Sequence, residues 1–285
     1  MNVPNLKLLL ATATLAITTA ALADGNFDRT LSVSSSPNVT VSTGSGYIHL
    51  KPGSDNQIHI TGHVHGHSWL GGDVESRIQQ IINNPPITQE GNEITIGKQH
   101  GDNDLFRNIS IDYDITLPRT SNINASTGSG DMTIDNVGAT LKAQTGSGTI
   151  RANGINGQST LGSGSGDVEL RLSGPGDVKA ETGSGSLRLS GVNGALKAST
   201  GSGSIEVEGQ PASDWRLSTG SGSIHLTLGS SARFTLDAST GSGSVNIAQP
   251  ITMQGSLNRH HISGAVNGGG PTVRASTGSG DITIR

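Results

Sequence analysis

The sequence predicts an all-β protein: a single-chain parallel β-helix (β-solenoid) with rungs of 18–19 residues, plus an N-terminal cap region carrying one short helix. The first observation is the tetrapeptide Thr-Gly-Ser-Gly, here called the corner. Copies begin at Thr43, Thr127, Thr145, Thr182, Thr200, Thr219, Thr240 and Thr277, with a serine variant at Ser163. From Thr127 onward the steps are 18, 18, 19, 18, 19, 21 and 37 residues. A nearly constant period of about 20 residues is typical of stacked solenoid units.

The second observation is the alternation of apolar and polar residues on both sides of a corner. Leu141 and Ala143 alternate with polar residues before one corner, and Ile150 and Ala152 do so after it. This pattern predicts two short, half-buried strands in each rung. Turn-forming Asn-Gly pairs separate the units, at residues 153–154, 156–157 and 193–194.

Residues 1–23 are predicted to be a secretory signal peptide. Lys7 precedes an apolar run, and the stretch ends in Ala21-Leu22-Ala23, so the mature chain is expected to start at Asp24. The run is too short for a membrane span of about 20 residues, and the chain has no Cys that a lipid could modify. We expect an exported protein without an integral membrane segment, in the periplasm, on the outer surface or outside the cell.

Residues 24–120 are predicted to form an N-terminal cap and the first rungs. They contain one early corner and a helix near residues 73–84, whose apolar residues fall on one face at i, i+4, i+7 and i+8 from Val74. Asp73 is the predicted N-cap, and a Pro-Pro pair ends the helix. Such a cap covers the open end of a solenoid, and residues 121–285 carry the remaining solenoid repeats.

The C-terminal repeats predict a weak rung and an open end. Ile262-Ser263-Gly264-Ala265 replaces a corner in the gap before Thr277, which predicts a degenerate rung there. The chain then ends halfway through a rung, so Ile282 and Ile284 are expected on an unpaired strand edge. Such an edge tends to pair with another chain, which makes end-to-end self-association one hypothesis. The alternative is a monomer whose shortened last rung covers the end.

The corners themselves suggest two properties. Their glycines are predicted to take φ angles that are costly for other residues, at Gly128, Gly146, Gly183, Gly201, Gly220 and Gly241 or at their partners two residues on. Asp follows the corner at Asp131, Asp167 and Asp281, as in calcium-binding nonapeptide repeats. Calcium needs 6 to 8 oxygen ligands, and the other corners are followed by Tyr, Thr, Ser or Ala. A turn with a Ser/Thr hydrogen-bond ladder is therefore favoured, and no metal or cofactor is predicted.

Composition and local clusters narrow the function. Net charge is −4 and the sequence has no Lys/Arg cluster, which argues against nucleic acid and polybasic membrane binding. Aromatic residues are 2%, which argues mildly against both nucleic-acid platforms and sugar-binding grooves, since these commonly use aromatic stacking. Three imidazoles of a strand would point to one side at His63, His65 and His67. They are interpreted as the polar face of an edge strand; a weak zinc, copper or nickel site and a pH-sensitive contact remain alternatives.

No catalytic residue is predicted. Asp112 and Asp114 could act as an acid–base pair but are interpreted as the solvated face of a strand. Ser165 lies in a β corner, not in the strand–turn–helix context of a nucleophile elbow. Charged residues of the rungs occur singly, at Lys142, Arg151, Lys179, Arg188 and Lys197. A polysaccharide-active enzyme, the alternative function, would need acidic and basic residues stacked on adjacent rungs, and none are expected from the aligned repeats. Ice or mineral binding by a Thr ladder is a third hypothesis.

The repeats Ser-Thr-Gly-Ser-Gly-Asp-Ile, with the strand and Pro at residues 111–118, resemble a large bacterial family of exported β-strand-repeat proteins described as an adhesin domain of unknown function. The resemblance covers nearly the whole mature chain. It implies a β-solenoid in the cell envelope or on the surface, and it transfers no catalytic residues. We therefore expect a non-enzymatic structural or adhesive module that uses a flat Ser/Thr/Gly face toward a surface glycan or envelope protein.

Overall fold

The computed structural model describes residues 24–66, 72–97, 104–252 and 258–285. Those ranges contain 25 strands and one helix, so the prediction of an all-β fold is confirmed. The predicted signal peptide, residues 1–23, lies outside the described residues. Within the described ranges, no helix is long and apolar enough to cross a membrane.

The N-terminal part contains the helix and the first strands. Its elements are β1 (Asp24–Ser32), β2 (Asn38–Thr43), β3 (Ile48–Pro52), β4 (Gln57–Gly66), α1 (Gly72–Asn83), β5 (Ile87–Glu90), β6 (Glu93–Gly97) and β7 (Ile109–Leu117). Helix α1 packs its apolar face on β1 and β4, and Ile78 and Ile81 are fully buried there. The helix therefore covers the N-terminal end of the stack with an apolar surface.

The repeats form pairs of short strands. In the regular part these are β8 (Asn122–Thr127), β9 (Met132–Asp135), β10 (Thr140–Thr145), β11 (Ile150–Ile155), β12 (Gln158–Ser163), β13 (Val168–Leu172), β14 (Val178–Thr182), β15 (Leu187–Val192), β16 (Leu196–Thr200), β17 (Ile205–Gly209), β18 (Trp215–Thr219) and β19 (Ile224–Leu228). The C-terminal strands are β20 (Phe234–Ser242), β21 (Val245–Ile247), β22 (Ile251–Thr252), β23 (His261–Val266), β24 (Thr272–Ser279) and β25 (Ile282–Ile284).

Each rung contributes one strand to each of two sheets. Sheet A has 12 described strands in the order β1-β4-β7-β3-β9-β11-β13-β15-β17-β19-β25-β21. Sheet B has 13, in the order β22-β23-β20-β24-β18-β16-β14-β12-β10-β8-β2-β6-β5. Rungs stack in parallel and in register, so that Thr182 pairs with Thr200 and Lys179 with Lys197. This arrangement confirms the predicted β-solenoid with two strands per rung.

Both terminal rungs are inserted into the stack. The first rung, β2 with β3, lies between the rung of β6 with β7 and that of β8 with β9. The last rung, β24 with β25, lies between β18 with β19 and β20 with β21. The prediction of an open C-terminal edge is therefore wrong: Ile282 and Ile284 are buried, and their strand is paired on both sides. A strand placed inside the stack leaves fewer backbone groups unpaired than one at its end.

The predicted degenerate rung is also wrong. The segment around Ser263 forms β23, which runs antiparallel to β20 and to the short strand β22. These antiparallel strands extend sheet B beyond the last parallel rung. A corner that lacks its first glycine does not continue the parallel stack here, and the chain turns back to build an end cap.

The corner threonines form a buried hydrogen-bond ladder. Oγ1 of Thr200 donates to the carbonyl oxygen of Gly185 in the preceding rung at 2.8 Å and accepts the backbone N–H of Gly203 at 3.2 Å. The bond to the neighbouring rung recurs at all nine corners, including the Ser163 variant. From Thr127 onward these side chains are buried. The hypothesis of an exposed Thr ladder for ice or mineral is therefore wrong.

The corner glycines are required by close packing between rungs, not by their φ angles. None of the six predicted positions takes a left-handed φ; among their partners only Gly243 has a positive angle, at 159°, which is nearly extended. A β-carbon at Gly203 would overlap the carbonyl oxygen of Gly185 in the neighbouring rung, and Gly148 meets Gly130 in the same way. The φ prediction is wrong because the constraint comes from the adjacent rung.

Candidate functional site

The Asp residues that follow corners bind the backbone of the next rung. Oδ1 of Asp131 accepts the backbone N–H of Thr149 at 2.8 Å, and Asp167 and Asp281 accept equivalent bonds at the same distance. Where serine stands at this position, its hydroxyl oxygen does the same, as Ser186 shows at 3.3 Å. The hydrogen bonds from Ser244 hold the pKa of the Asp281 carboxyl below its usual value. These carboxylates therefore form part of a hydrogen-bond ladder that links neighbouring rungs.

A cluster of imidazoles and carboxylates covers the outward side of sheet A near its N-terminal end. We call it the His/Asp face; it comprises His49, His59, His63, His65, Asp24, Asp28, Asp112 and Asp114. The strands β1, β4, β7 and β3 lie side by side, and their antiparallel or parallel register brings these side chains together. The sequence separates them by up to 90 residues, so only the sheet order joins them.

The imidazoles of this face link neighbouring strands. Nδ1 of His65 lies 3.0 Å from Asp24 Oδ1 on β1, and its Nε2 lies 3.2 Å from Asp112 Oδ2 on β7. Nε2 of His63 lies 3.5 Å from Asp114 Oδ2. Each ring thus bridges β4 to a neighbour. These contacts link β1, which is an edge strand of sheet A, to the rest of the sheet.

Asp114 is the centre of this hydrogen-bond network. Its carboxylate accepts the hydroxyl of Tyr47 at 2.8 Å and lies 3.0 Å from Nδ1 of His49. Partial desolvation raises the pKa of Asp114, but the hydrogen bonds from Tyr47 and His49 outweigh it and lower the pKa below its usual value. Burial, followed by the hydrogen bond to Asp114, raises the pKa of Tyr47 to about 12. The pair is therefore a phenol donating to a carboxylate at neutral pH.

The structure corrects two interpretations of residues on the His/Asp face. Strand β4 is an interior strand between β1 and β7, so the interpretation of His63 and His65 as part of an edge strand is wrong. His67 lies outside the described residues. Asp112 and Asp114 are partly buried and bound to histidines, not a free solvated face. In the described part of the chain, no group of three or more His, Cys, Asp or Glu residues has the arrangement of a metal site.

The charged residues of the rungs stack in two rows. The interpretation that they are scattered singly, with no acidic and basic residues stacked on adjacent rungs, is therefore wrong. On sheet A the register places Arg151, Glu169, Arg188 and Glu206 on consecutive strands, and we call these the alternating row. Arg188 lies 3.3 Å from Glu206 and 3.8 Å from Glu169. Three members of the row, Glu169, Arg188 and Glu206, line a shallow depression of about 410 Å³. The opposite charges of the row neutralise each other.

Sheet B carries a row of like charges. We call it the cationic row; from β10 to β24 it comprises Lys142, Lys179, Lys197, Arg216 and Arg274. All five side chains are exposed, and Thr160 interrupts the row at one rung. Each cation stands three residues before a corner Thr, so aligning the repeats on their corners would have revealed the row.

Comparison with known proteins places the chain in a family. Residues 28–285 match the family described as Toastrack DUF4097. The chain belongs to the Toastrack family. This match confirms the resemblance stated from the repeats. No curated protein matches the chain.

Three solved structures are similar to this chain at low sequence identity. A candidate adhesin from Bacteroides fragilis is 15% identical, with a TM-score of 0.51 over 92% of this chain and 97% of its own. A candidate cell adhesion protein from Clostridium sporogenes is 12% identical, with a TM-score of 0.27 over 91% of this chain and 99% of its own. A candidate lipid-binding protein from Parabacteroides distasonis is 14% identical, with a TM-score of 0.34 over 91% and 96%. The first of these supports the fold alone.

The Toastrack stack therefore presents three candidate surfaces: the His/Asp face, the alternating row and the cationic row. In the first two, opposite charges or hydrogen-bond partners satisfy the polar groups. In the cationic row, Glu181 and Asp237 pair with three of the five cations, whereas Lys142 and Arg216 form no ion pair with any described residue. Of the three surfaces, the cationic row is therefore the one whose charges are least neutralised by the protein itself.

Proposed function

We propose that this Toastrack protein is a non-enzymatic, exported module with a structural or adhesive role in the bacterial cell envelope or on the surface. The observation that carries the proposal is the regular stack, which repeats outward polar rows on two extended sheets. Such surfaces suit contact with a long or repeated partner, since each rung adds the same group at a fixed spacing of about 4.8 Å. A surface glycan or an envelope protein is the partner we propose.

Export is part of this proposal. It rests on the predicted signal peptide at residues 1–23 and the cleavage site before Asp24. The absence of Cys agrees with a fold that needs no disulfides, because packing and hydrogen-bond ladders join every rung. The description of the Bacteroides fragilis protein as a candidate adhesin supports an adhesive role for this one.

A polysaccharide-active enzyme is the alternative, and one observation favours it. The alternating row supplies stacked acidic and basic residues beside a depression, which is the arrangement that such an enzyme needs. However, Glu169 and Glu206 are ion-paired to arginines, so a structural role explains them without catalysis. Assays for release of reducing sugar from acidic and neutral polysaccharides distinguish the two functions.

The test of the proposed function combines localisation with adhesion. We expect the full chain to be processed after Ala23 and recovered from the periplasm, outer surface or medium, and we expect a deletion strain to adhere less to glycan-coated or matrix-coated surfaces. A chain lacking residues 1–23 is the control and should remain in the cytoplasm. An unprocessed cytoplasmic protein, or unchanged adhesion after deletion, would contradict the proposal.

A further inference from the structure

We infer that the cationic row on sheet B is a binding track for a linear anionic polysaccharide. The inference rests on the proposed function, since it gives the chemical class of the partner that the module would bind. The row runs along the long axis of the stack, with one cation on each rung from β14 to β24 in the order of sheet B.

The stacking of like charges is the first argument. Lys179, Lys197 and Arg216 lie directly opposite one another on neighbouring strands, about 4.8 Å apart. Like charges in this position oppose sheet formation. The alternating row of the same protein shows the arrangement that stabilises a sheet, with Arg and Glu opposite each other. The repulsion between stacked cations costs stability wherever the protein's own carboxylates do not offset it, and an external anion would remove that remaining cost.

The carboxylates near the cationic row neutralise only some of its cations. Glu181 lies between two of the cations, 3.1 Å from Lys179 and 2.9 Å from Lys197, and Asp237 lies 2.9 Å from Arg274. Two more carboxylates border the row, but Asp177 and Asp214 each accept a backbone N–H of the next rung. The charges of Lys142 and Arg216 are not neutralised within the protein, since neither residue pairs with a carboxylate in the described ranges.

The surroundings of the row suit a sugar polymer. On the side toward the corners, the next outward row carries hydroxyl groups at Ser199, Ser218 and Ser276, which can exchange hydrogen bonds with sugar hydroxyls. A shallow depression of about 480 Å³ lies over Lys197, Arg216 and Arg274. The cations recur along the row at the rung spacing of about 4.8 Å, so a linear polymer lying along the row can meet several of them at once.

Other anionic partners fit this surface less well. Among the described residues, Tyr47 is the only exposed large hydrophobic side chain, and it lies beside sheet A, so sheet B has no apolar group to insert into a membrane. The one aromatic residue in the strands of the row, Trp215, is buried and offers no platform for bases. Charge and hydroxyl groups alone suffice for an acidic polysaccharide.

The test uses biolayer interferometry with immobilised polygalacturonate, and neutral pullulan as the reference polymer. We expect binding to polygalacturonate that weakens with salt, and none to pullulan. In the double variant Lys142→Gln, Arg216→Gln, affinity should fall by about tenfold at low salt, and the slope of log K against log[salt] should become shallower by about two. The variant Glu181→Gln should bind more tightly, because it releases Lys179 and Lys197.

The matched control is Arg151→Gln, Arg188→Gln, which removes two positive charges from sheet A and gives the same net charge. Its affinity should stay within about twofold of the wild type. Equal loss in both double variants, no preference for polygalacturonate over pullulan, or unchanged or weaker binding by Glu181→Gln would overturn the inference. Equal or tighter binding to phosphatidylglycerol vesicles or single-stranded DNA, lost in the same variant, would also overturn it. Adhesion lost on gene deletion without polygalacturonate binding would overturn the inference and leave the proposed function standing.

Discussion

Each corner of the stack has at least one glycine whose α-carbon lies against the backbone of a neighbouring rung, as Gly203 lies against Gly185. The corner Thr bonds to the same rung through its hydroxyl, so both residues are fixed by contacts between rungs. The buried Thr hydroxyl needs these partners, because an unpaired buried hydroxyl is costly. Glycine at the corner is thus a requirement of spacing, and replacing it tests the stack directly.

We predict that Gly203→Ala lowers the melting temperature by several degrees. Its β-carbon would overlap the carbonyl oxygen of Gly185, and forcing extra atoms into a packed site typically costs about 1–3 kcal/mol. Gly44→Ala is the control, since no described atom lies within 4 Å of its β-carbon position. Thermal unfolding followed by circular dichroism measures both, and equal melting temperatures for the two variants would contradict the role of the corner.

The His/Asp face predicts a pH dependence through Asp114. Its pKa is lowered in the folded state, so its contribution to stability is present above the unfolded value of about 3.9 and is lost as pH falls through the folded pKa. Asp114→Asn should therefore destabilise the protein at pH 7 and flatten the loss of stability on acidification. Melting curves at pH 7, 5 and 3 test this. A variant whose melting temperature falls as steeply as that of the wild type would refute it.

At the scale of strands, the insertion of the terminal rungs is the feature that local pattern does not predict. The alternation around each corner predicts the strands well, and the helix near residues 73–84 occurs at Gly72–Asn83. Local pattern does not predict the order of the rungs, because every copy carries nearly the same corner and could pair with any other. The choice depends on loops and end caps, whose contacts are long-range.

The candidate sites also differ in how far the sequence predicts them. The cationic row follows from aligning residues such as Lys197 and Arg216 on their corners, so the sequence contains it. The His/Asp face does not, because His63 and Asp114 meet only through the antiparallel pairing of β4 with β7. The polar alternation of both strands predicts outward side chains but not their partners.

Insertion of the last rung predicts the effect of Ile284→Lys. Ile284 is fully buried, and its strand β25 is paired to β19 and β21, so a lysine there must leave the core or bury its charge. We expect a destabilisation of more than about 3 kcal/mol by urea unfolding. Thr283→Lys, on the outward side of the same strand, should change stability by less than about 0.5 kcal/mol. Similar stability of the two variants would contradict the placement of β25 between β19 and β21.

At the scale of the molecule, the stack is quasi-one-dimensional, with each rung held by its two neighbours. Stability is distributed along the inward rows and corner ladders, which leaves the outward rows free to vary. Sheet A uses this freedom for neutralising pairs, and sheet B uses it for a line of positive charge. We therefore propose that sheet B binds the partner and that sheet A supports the fold.

The most direct measurement is adhesion of a deletion strain complemented with three forms of the gene: wild type, Lys142→Gln with Arg216→Gln, and Arg151→Gln with Arg188→Gln. Surface amounts are matched by immunoblotting of fractionated cells. We expect that the wild type and the sheet A variant restore adhesion to an acidic polysaccharide surface and that the sheet B variant does not. Full restoration by the sheet B variant would contradict this proposal.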